Sequence, residues 1–298
     1  MQTKQQIQQL LAETGAFPNR RLGQHFLIDL NLMRLLVETA QIESSDVVLE
    51  VGCGTGSLTE ALAQQAGKVI AVELDRMLCT IAKNQLAKTE NVEIINTDVL
   101  EKKRTLSSIV TKAIELARKK YSGRLLLVAN LPYNVASPVV LNLATGPTVA
   151  EAMCVTVQRQ VAERMTAAPG SSEYGTLSVL LAATGDVKTI RVLKPTVFWP
   201  QPQVDSAMVT FVRQNEKVTR IKNIQLFSQT VNLFMGHRRK MLKACARLAY
   251  ARTGRVANWP AIFEQCSIDP TQRPQQLSAE DYIAIDAASG AGWMLSHL

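Results

Sequence analysis

The chain has 298 residues, with 33 Lys or Arg and 25 Asp or Glu, for a net charge of +8. At 47% apolar it is too hydrophobic to be disordered, and its length suits one large domain or a large and a small one. The sequence contains no run of about 18 apolar residues and opens without a secretory h-region, so a cytoplasmic protein with no membrane partner is expected. Cysteines at 53, 79, 154, 245 and 266 include no CxxC pair, and His25, His237 and His297 are scattered; neither a disulfide framework nor a metal is predicted.

Residues 1–19 are Gln-rich and then loop-like at Gly15–Pro18, and read as a short helix or frayed N-terminal arm. From position 47, short apolar runs alternate with amphipathic stretches. Val47–Val51, Lys68–Leu74, Val92–Asn96, Leu125–Ala129 and Ala152–Val157 read as strands. Helices are expected from Ser57 and near 75–88, 105–120, 137–144 and 158–167. Such alternation predicts an α/β fold built of βαβ units, its parallel sheet covered on both faces. Val187–Leu193 and Ala207–Val212 read as two further strands closing one edge. After Arg213 strand signals stop. Ile224–Met235 and Arg238–Ala251 read as helices, and Ser278–Asp281 has the S-x-x-D pattern of a capping box. The expected organisation is an arm at 1–19, a Rossmann-like domain at 20–213 and a small all-α domain at 214–298.

Glu50 to Ser57 reads E-V-G-C-G-T-G-S between the first strand and a helix. Glycines such as Gly52 and Gly54 allow a tight turn and close approach of a ligand to the backbone. The dinucleotide fingerprint would require a third glycine at 57, where the chain has Ser57. Glu73 ends the second strand, where a carboxylate can accept from both hydroxyls of a ribose. Asp98 follows the third strand, where it can accept from an adenine amine. These points outline an adenosine-shaped site without a pyrophosphate cradle, which suits S-adenosylmethionine better than a dinucleotide.

Asn130-Leu131-Pro132-Tyr133 closes the fourth strand, at the sheet edge that faces the crevice of an open α/β sheet. The exocyclic amine of adenine is a poor nucleophile, because its lone pair is delocalised into the ring. The Asn130 side-chain oxygen and the Leu131 carbonyl are candidate acceptors for its two hydrogens, with Pro132 fixing the turn. Tyr133 is a candidate stacking platform for the base, and Phe198, in the proline-rich run Phe198 to Ser206, is a candidate second wall opposite it. Catalysis of this kind rests on orientation and fixed dipoles rather than on a strong general base.

The charge is local. Residues 213–255 hold eleven Lys or Arg against one Glu, a window of +10, so the rest of the chain sums to −2. A near-pure basic window interleaved with apolar residues predicts a nucleic-acid contact, and Arg238, Arg239, Lys240 and Lys243 are its candidate phosphate ligands. A smaller basic cluster lies at 102–124.

These motifs resemble those of the small-subunit ribosomal RNA adenine N(6),N(6)-dimethyltransferase family, from about Arg20 to Tyr282. The resemblance is carried by Gly23 to Leu27, Glu50 to Gly56, Val72 to Asp75, Asp98, Asn130 to Asn134, Phe198 to Ser206 and Arg238 to Lys240. It implies a class I S-adenosylmethionine-dependent methyltransferase sheet with a helical C-terminal domain that docks on rRNA. It further implies dimethylation of two adjacent adenosines in a hairpin loop near the 3′ end of small-subunit rRNA, within a 30S assembly intermediate, by a monomer. Residues matching His25, Leu27, Gly52, Glu73, Asp98 and Asn130 are implied to bind the donor, and those matching Asn130, Tyr133 and Phe198 to hold the target adenine. The family pattern has Asn where this chain has His25, which puts side-chain contact of His25 with the donor in question. Val204 to Ala207 and the Arg-Arg-Lys run resemble the small-subunit type more than the related large-subunit enzyme of macrolide resistance. A binding-only assembly factor is disfavoured by the intact Asn130 to Tyr133 motif and glycine loop.

Overall fold

Runs of Val, Ile and Leu form strands here because they fill a pleated surface buried on both faces. In the computed structural model, which describes residues 1–19, 22–102, 105–253 and 258–289, the strands are β1 (Val47–Val51), β2 (Lys68–Glu73), β3 (Val92–Asn96), β4 (Leu125–Asn130), β5 (Ala152–Gln158), β6 (Gly185–Leu193) and β7 (Ser206–Arg213), of which β3 and β6, at the two edges, are partly exposed. The sheet order is β3-β2-β1-β4-β5-β7-β6. β1 pairs in parallel with β2 and β4, β2 with β3, and β4 with β5, while β5 pairs antiparallel with β7. Strand order reverses between β1 and β4, so the crevice of this sheet opens beyond their carboxyl ends.

α1 (Lys4–Thr14) and α2 (Leu30–Thr39) precede β1, and the helices between strands are α3 (Ser57–Ala63), α4 (Arg76–Gln85), α5 (Ser108–Lys120), α6 (Ala136–Thr145), α7 (Arg159–Met165) and α8 (Thr176–Thr184). Residues 4–14 are helical because Thr3 and Gln6 form a capping box and Gly15 closes the helix in the left-handed conformation. Ile7 and Leu11 of α1 are buried against Leu78 and Ile81 of α4. Asp75 caps α4 by accepting from the N–H groups of Met77 and Leu78.

Three sequence expectations need correction. Residues 105–107 are not helical: Thr105–Leu106 pairs with Leu100–Glu101 as a hairpin, and α5 begins at Ser108. α8 gives no helix signal in the sequence, since seven of its nine residues are buried and they carry no amphipathic period. Arg238, Arg239 and Lys240 are not in a helix. After α9 (Asn215–Val218) and α10 (Ile224–Met235), the chain turns through Gly236 to Lys240 before α11 (Leu242–Thr253), α12 (Trp259–Gln265) and α13 (Ala279–Ser289). Gly236 follows the last residue of α10, and the Lys240 N–H donates to the His237 carbonyl at 2.8 Å, closing a turn.

Packing divides the chain into two compact units. The first comprises 1–143, 148–162 and 188–212, and holds a core of Leu36, Val48, Leu62, Val69 and Leu126. The second comprises 144–147, 163–187 and 213–298. Its core holds Phe227, Phe234 and Tyr282, with Trp259 edge-on to Phe234 at 5.1 Å between ring centroids. The Tyr174 and Tyr282 hydroxyls donate to the carbonyls of Leu277 and Pro274, which satisfies both buried polar tips. The Ser278–Asp281 capping box forms as the sequence suggests.

Candidate active site

Parallel pairing brings Glu50 and Val51 of β1, Glu73 of β2 and Asn130 of β4 to one edge of the sheet, with Asp98 just beyond β3. They line one cleft together with His25, Leu27, Gly52, Gly54, Leu131 and Tyr133. Nine of the residues singled out from sequence thus meet at one place, all within the first unit.

The glycine loop has a steric reason. Gly52, Gly54 and Gly56 all have positive φ, at 78°, 58° and 85°. A Cβ on Gly52 would lie 2.8 Å from Cγ of Pro132, and one on Gly54 2.9 Å from Cε1 of Phe26. The loop is therefore packed under the Asn130 to Tyr133 turn as well as shaped for a ligand. Glu73 braces it: one carboxylate oxygen accepts from the Gly54 N–H at 2.8 Å, the other from the Asp75 N–H at 2.9 Å. Burial raises the Glu73 carboxyl above its ordinary value, against the lowering effect of those two N–H groups.

Glu50 is the functional candidate that sequence reasoning quoted only as part of a motif. It is 1% exposed, lines the cleft, and its Oε2 has no hydrogen-bond partner. Burial pushes its carboxyl from 4.5 up to about 8, and the nearby Glu73 charge acts in the same direction. A buried acid held neutral by desolvation, despite a lowering contact with Thr59, and with one oxygen unpaired, suits a cleft that receives a cationic ligand. The sign of the pH linkage follows. The folded chain keeps this proton up to about pH 8 while the unfolded chain loses it above 4.5, so stability falls as pH rises between these values. Glu50→Gln is expected to melt higher than wild type at pH 8, by on the order of 3 kcal/mol, with the gap closing toward pH 5. Equal melting curves at both pH values would contradict this reading.

Asn130 is clamped on both sides. Its Nδ2 donates to the His25 carbonyl at 2.8 Å, and its Oδ1 accepts from the Thr156 hydroxyl. The Tyr133 hydroxyl is 2.7 Å from Oγ of the fully buried Ser206. His25 lies over Tyr133 with ring centroids 5.4 Å apart, and its Nδ1 donates to the Pro200 carbonyl at 2.7 Å. Since a carbonyl only accepts, the proton sits on Nδ1. The His25 side chain is thus engaged with protein, while its backbone carbonyl holds Asn130.

Phe198 is not brought to this cleft. It is 1% exposed, packs in the core with Leu27, Leu36 and Met208, and pairs with Leu27 across a two-residue ladder in which Phe26 faces Trp199. In this conformation it supports the cleft wall from behind and offers no face to a base. The basic residues belong to the second unit. Arg238, Arg239, Lys240 and Lys243 are all exposed, and Arg238 also donates to the carbonyls of Ser172 and Tyr174, at 3.2 and 3.1 Å. Arg238 therefore ties the turn to the 172–174 segment. Among the described residues, no His, Cys, Asp and Glu cluster fit to hold a metal is present, and no helix is long and apolar enough to cross a membrane.

The family model described as ribosomal RNA adenine dimethylase matches residues 17–285. A ribosomal RNA small subunit methyltransferase A from Latilactobacillus sakei is 35% identical over 281 residues, covering 93% of this chain and 92% of that protein. Its counterpart from Pelotomaculum thermopropionicum is 36% identical, with 94% of each chain covered. Among solved structures, a dimethyladenosine transferase from Plasmodium falciparum aligns with a TM-score of 0.66 at 22% identity, covering 86% of this chain and 94% of that one. The 23S rRNA methyltransferase ErmE aligns at 0.60, also at 22% identity, covering 88% and 98%. These two likenesses speak to the fold, a class I S-adenosylmethionine-dependent methyltransferase sheet.

Proposed function

Because the chain belongs to the ribosomal RNA adenine dimethylase family, we propose that it converts two adjacent adenosines, in the hairpin loop near the 3′ end of small-subunit rRNA, to N(6),N(6)-dimethyladenosines. The observation that carries this reading is the meeting of Glu73, Asp98 and Asn130 to Tyr133 in one cleft at the carboxyl edge of the sheet. S-adenosylmethionine, when bound, supplies an electrophilic methyl group. The residues present fit it: Glu73 and Asp98 are set for ribose and adenine, the glycine loop leaves room beside the backbone, and Glu50 brings an orphan carboxyl oxygen to a cationic ligand.

On the target side, Oδ1 of Asn130 and the Leu131 carbonyl accept the two amine hydrogens of the adenine. This draws the nitrogen lone pair out of conjugation and aims it across the cleft. Tyr133 provides the stacking face. The methylated amine is acidic and loses its proton without a strong base. Phe198 acts here as a core support of the 198–206 loop, and contact with a base requires that loop to move. His25 acts through its backbone carbonyl and its ring contact with Tyr133.

Residues 214–298 dock on rRNA through Arg239, Lys240 and Lys243, within a 30S assembly intermediate, and the enzyme acts as a monomer in the cytoplasm. Phosphate contacts of this kind hold an RNA but do not select a base. Replacing Arg239, Lys240 and Lys243 together by Ala is therefore expected to weaken binding to 30S particles and to flatten the dependence of log K on log salt by about one per charge removed. Binding measured from 50 to 200 mM salt tests this, and an unchanged slope would remove these residues from the interface. The reaction itself is tested by primer extension across the hairpin in a strain lacking this gene, where both adenosines should read as unmodified and regain modification when the gene is restored.

A further inference from the structure

Thr156 lies on β5 directly opposite Asn130 in the parallel ladder with β4, and is 1% exposed. Parallel pairing turns both side chains to the same face of the sheet. The Thr156 hydroxyl donates to Oδ1 of Asn130, and the backbone of the same pair is joined where the Leu131 N–H donates to the Thr156 carbonyl at 3.1 Å. On its other side the Asn130 amide donates through Nδ2 to the His25 carbonyl. A carbonyl must meet a donor and the hydroxyl can donate to the remaining oxygen, so the two contacts admit only one orientation of the amide. Flipping it would set Nδ2 against the Thr156 hydroxyl and Oδ1 against the His25 carbonyl, two acceptors facing one another.

From this arrangement we infer that Thr156 is a positioning residue for the methyl-transfer site: with the Asn130 amide already oriented by the His25 carbonyl, the Thr156 hydroxyl fixes the direction in which the amide oxygen meets an amine donor in the cleft. The inference rests on the reading of Asn130 as an acceptor for the target amine. An amide oxygen has two lone pairs. Thr156 takes one and fixes the direction of the other. Without that hydroxyl, Asn130 keeps one anchor, the His25 carbonyl, and its side chain swings about χ1 and χ2. The expected loss is in the chemical step, because a misdirected acceptor matters when the amine is drawn out of its ring plane, not when the 30S particle is first held.

The test compares wild type, Thr156→Val and Thr156→Ser. Valine keeps the branched shape of the strand position and removes the hydroxyl, whereas serine keeps the hydroxyl and removes a methyl group. Initial rates of methyl transfer are read on 30S particles lacking the modification, and S-adenosylhomocysteine binding is read separately by calorimetry. Thr156→Val is expected to lower kcat by about tenfold, the worth of one hydrogen bond, with KM for the particle within about twofold of wild type. Thr156→Ser is expected to recover most of the rate. Wild-type kcat in Thr156→Val would overturn the inference, as would a loss that serine fails to restore, or one that appears wholly in KM. A loss of S-adenosylhomocysteine affinity as large as the loss of kcat would reassign Thr156 to donor binding and overturn it equally. Inactive wild-type enzyme would instead refute the proposed reaction, so the two failures are told apart by the first lane.

Discussion

Asn130→Ala is expected to lower methyl transfer to 30S particles by about 10²- to 10³-fold, the usual cost of removing one preorganised dipole at a reacting centre. The variant also leaves the His25 carbonyl and the Thr156 hydroxyl without their partner, which is expected to cost about 1–2 kcal/mol of stability. That cost is small beside the kinetic one, so a correctly folded but nearly inactive protein is the predicted outcome. Thermal melts and single-turnover rates on the same preparation separate the two effects. Activity within tenfold of wild type would show that the acceptor role lies elsewhere, with the Leu131 carbonyl as the remaining candidate.

Gly52→Ala is expected to damage both the stability of the catalytic unit and its binding of the methyl donor. Its φ of 78° already disfavours a side chain, and the added Cβ would lie 2.8 Å from the Pro132 ring. Pro132 cannot yield without moving the turn that carries Asn130, Leu131 and Tyr133. A loss of about 2–4 kcal/mol of stability is expected, together with at least tenfold weaker binding of S-adenosylhomocysteine. Gly170→Ala provides the control, since Gly170 has a φ of 85° but nothing within 4 Å of an added Cβ. It should cost about 1–2 kcal/mol, from the backbone alone. If both variants melt alike, the contact with Pro132 carries no energy and the loop is looser than described here.

Both predictions concern positions that sequence alone singles out, and the reason is physical. β2, β4 and β5 contain runs of four or more apolar residues, and β1 has four apolar residues out of five, so their existence is legible without any partner. Once the strands are parallel, residues at their carboxyl ends must share an edge, and Glu73, Asp98 and Asn130 follow. What escaped depends on pairing between distant segments. Nothing local says that Phe198 faces inward, because a proline-rich run has no period, and only its ladder with Leu27 decides. α2 and α12 were passed over although both have side-chain caps, at Asp29 and Asn258. The Arg238 to Lys240 run looked helical because its residues are good helix formers; tertiary ties of Arg238 to the Ser172 and Tyr174 carbonyls hold it in a turn instead. Thr156 carries no motif at all, and its place opposite Asn130 is visible only from strand register.

The Glu50 carboxyl illustrates how such a site can be poised. Buried and with Oε2 lacking a partner, it costs the folded protein stability increasingly as pH rises toward 8. A cationic ligand in the cleft relieves that cost, which couples donor binding to stability.

The central claim is that this cleft methylates adenines of small-subunit rRNA, with the basic second unit serving to hold the particle. Its most direct test is transfer of a tritiated methyl group from S-adenosylmethionine to purified 30S particles lacking the modification, with 50S particles in parallel. The account predicts label on both adjacent adenosines of the 30S hairpin and none on 50S; label on 50S alone, or none on 30S, would contradict it.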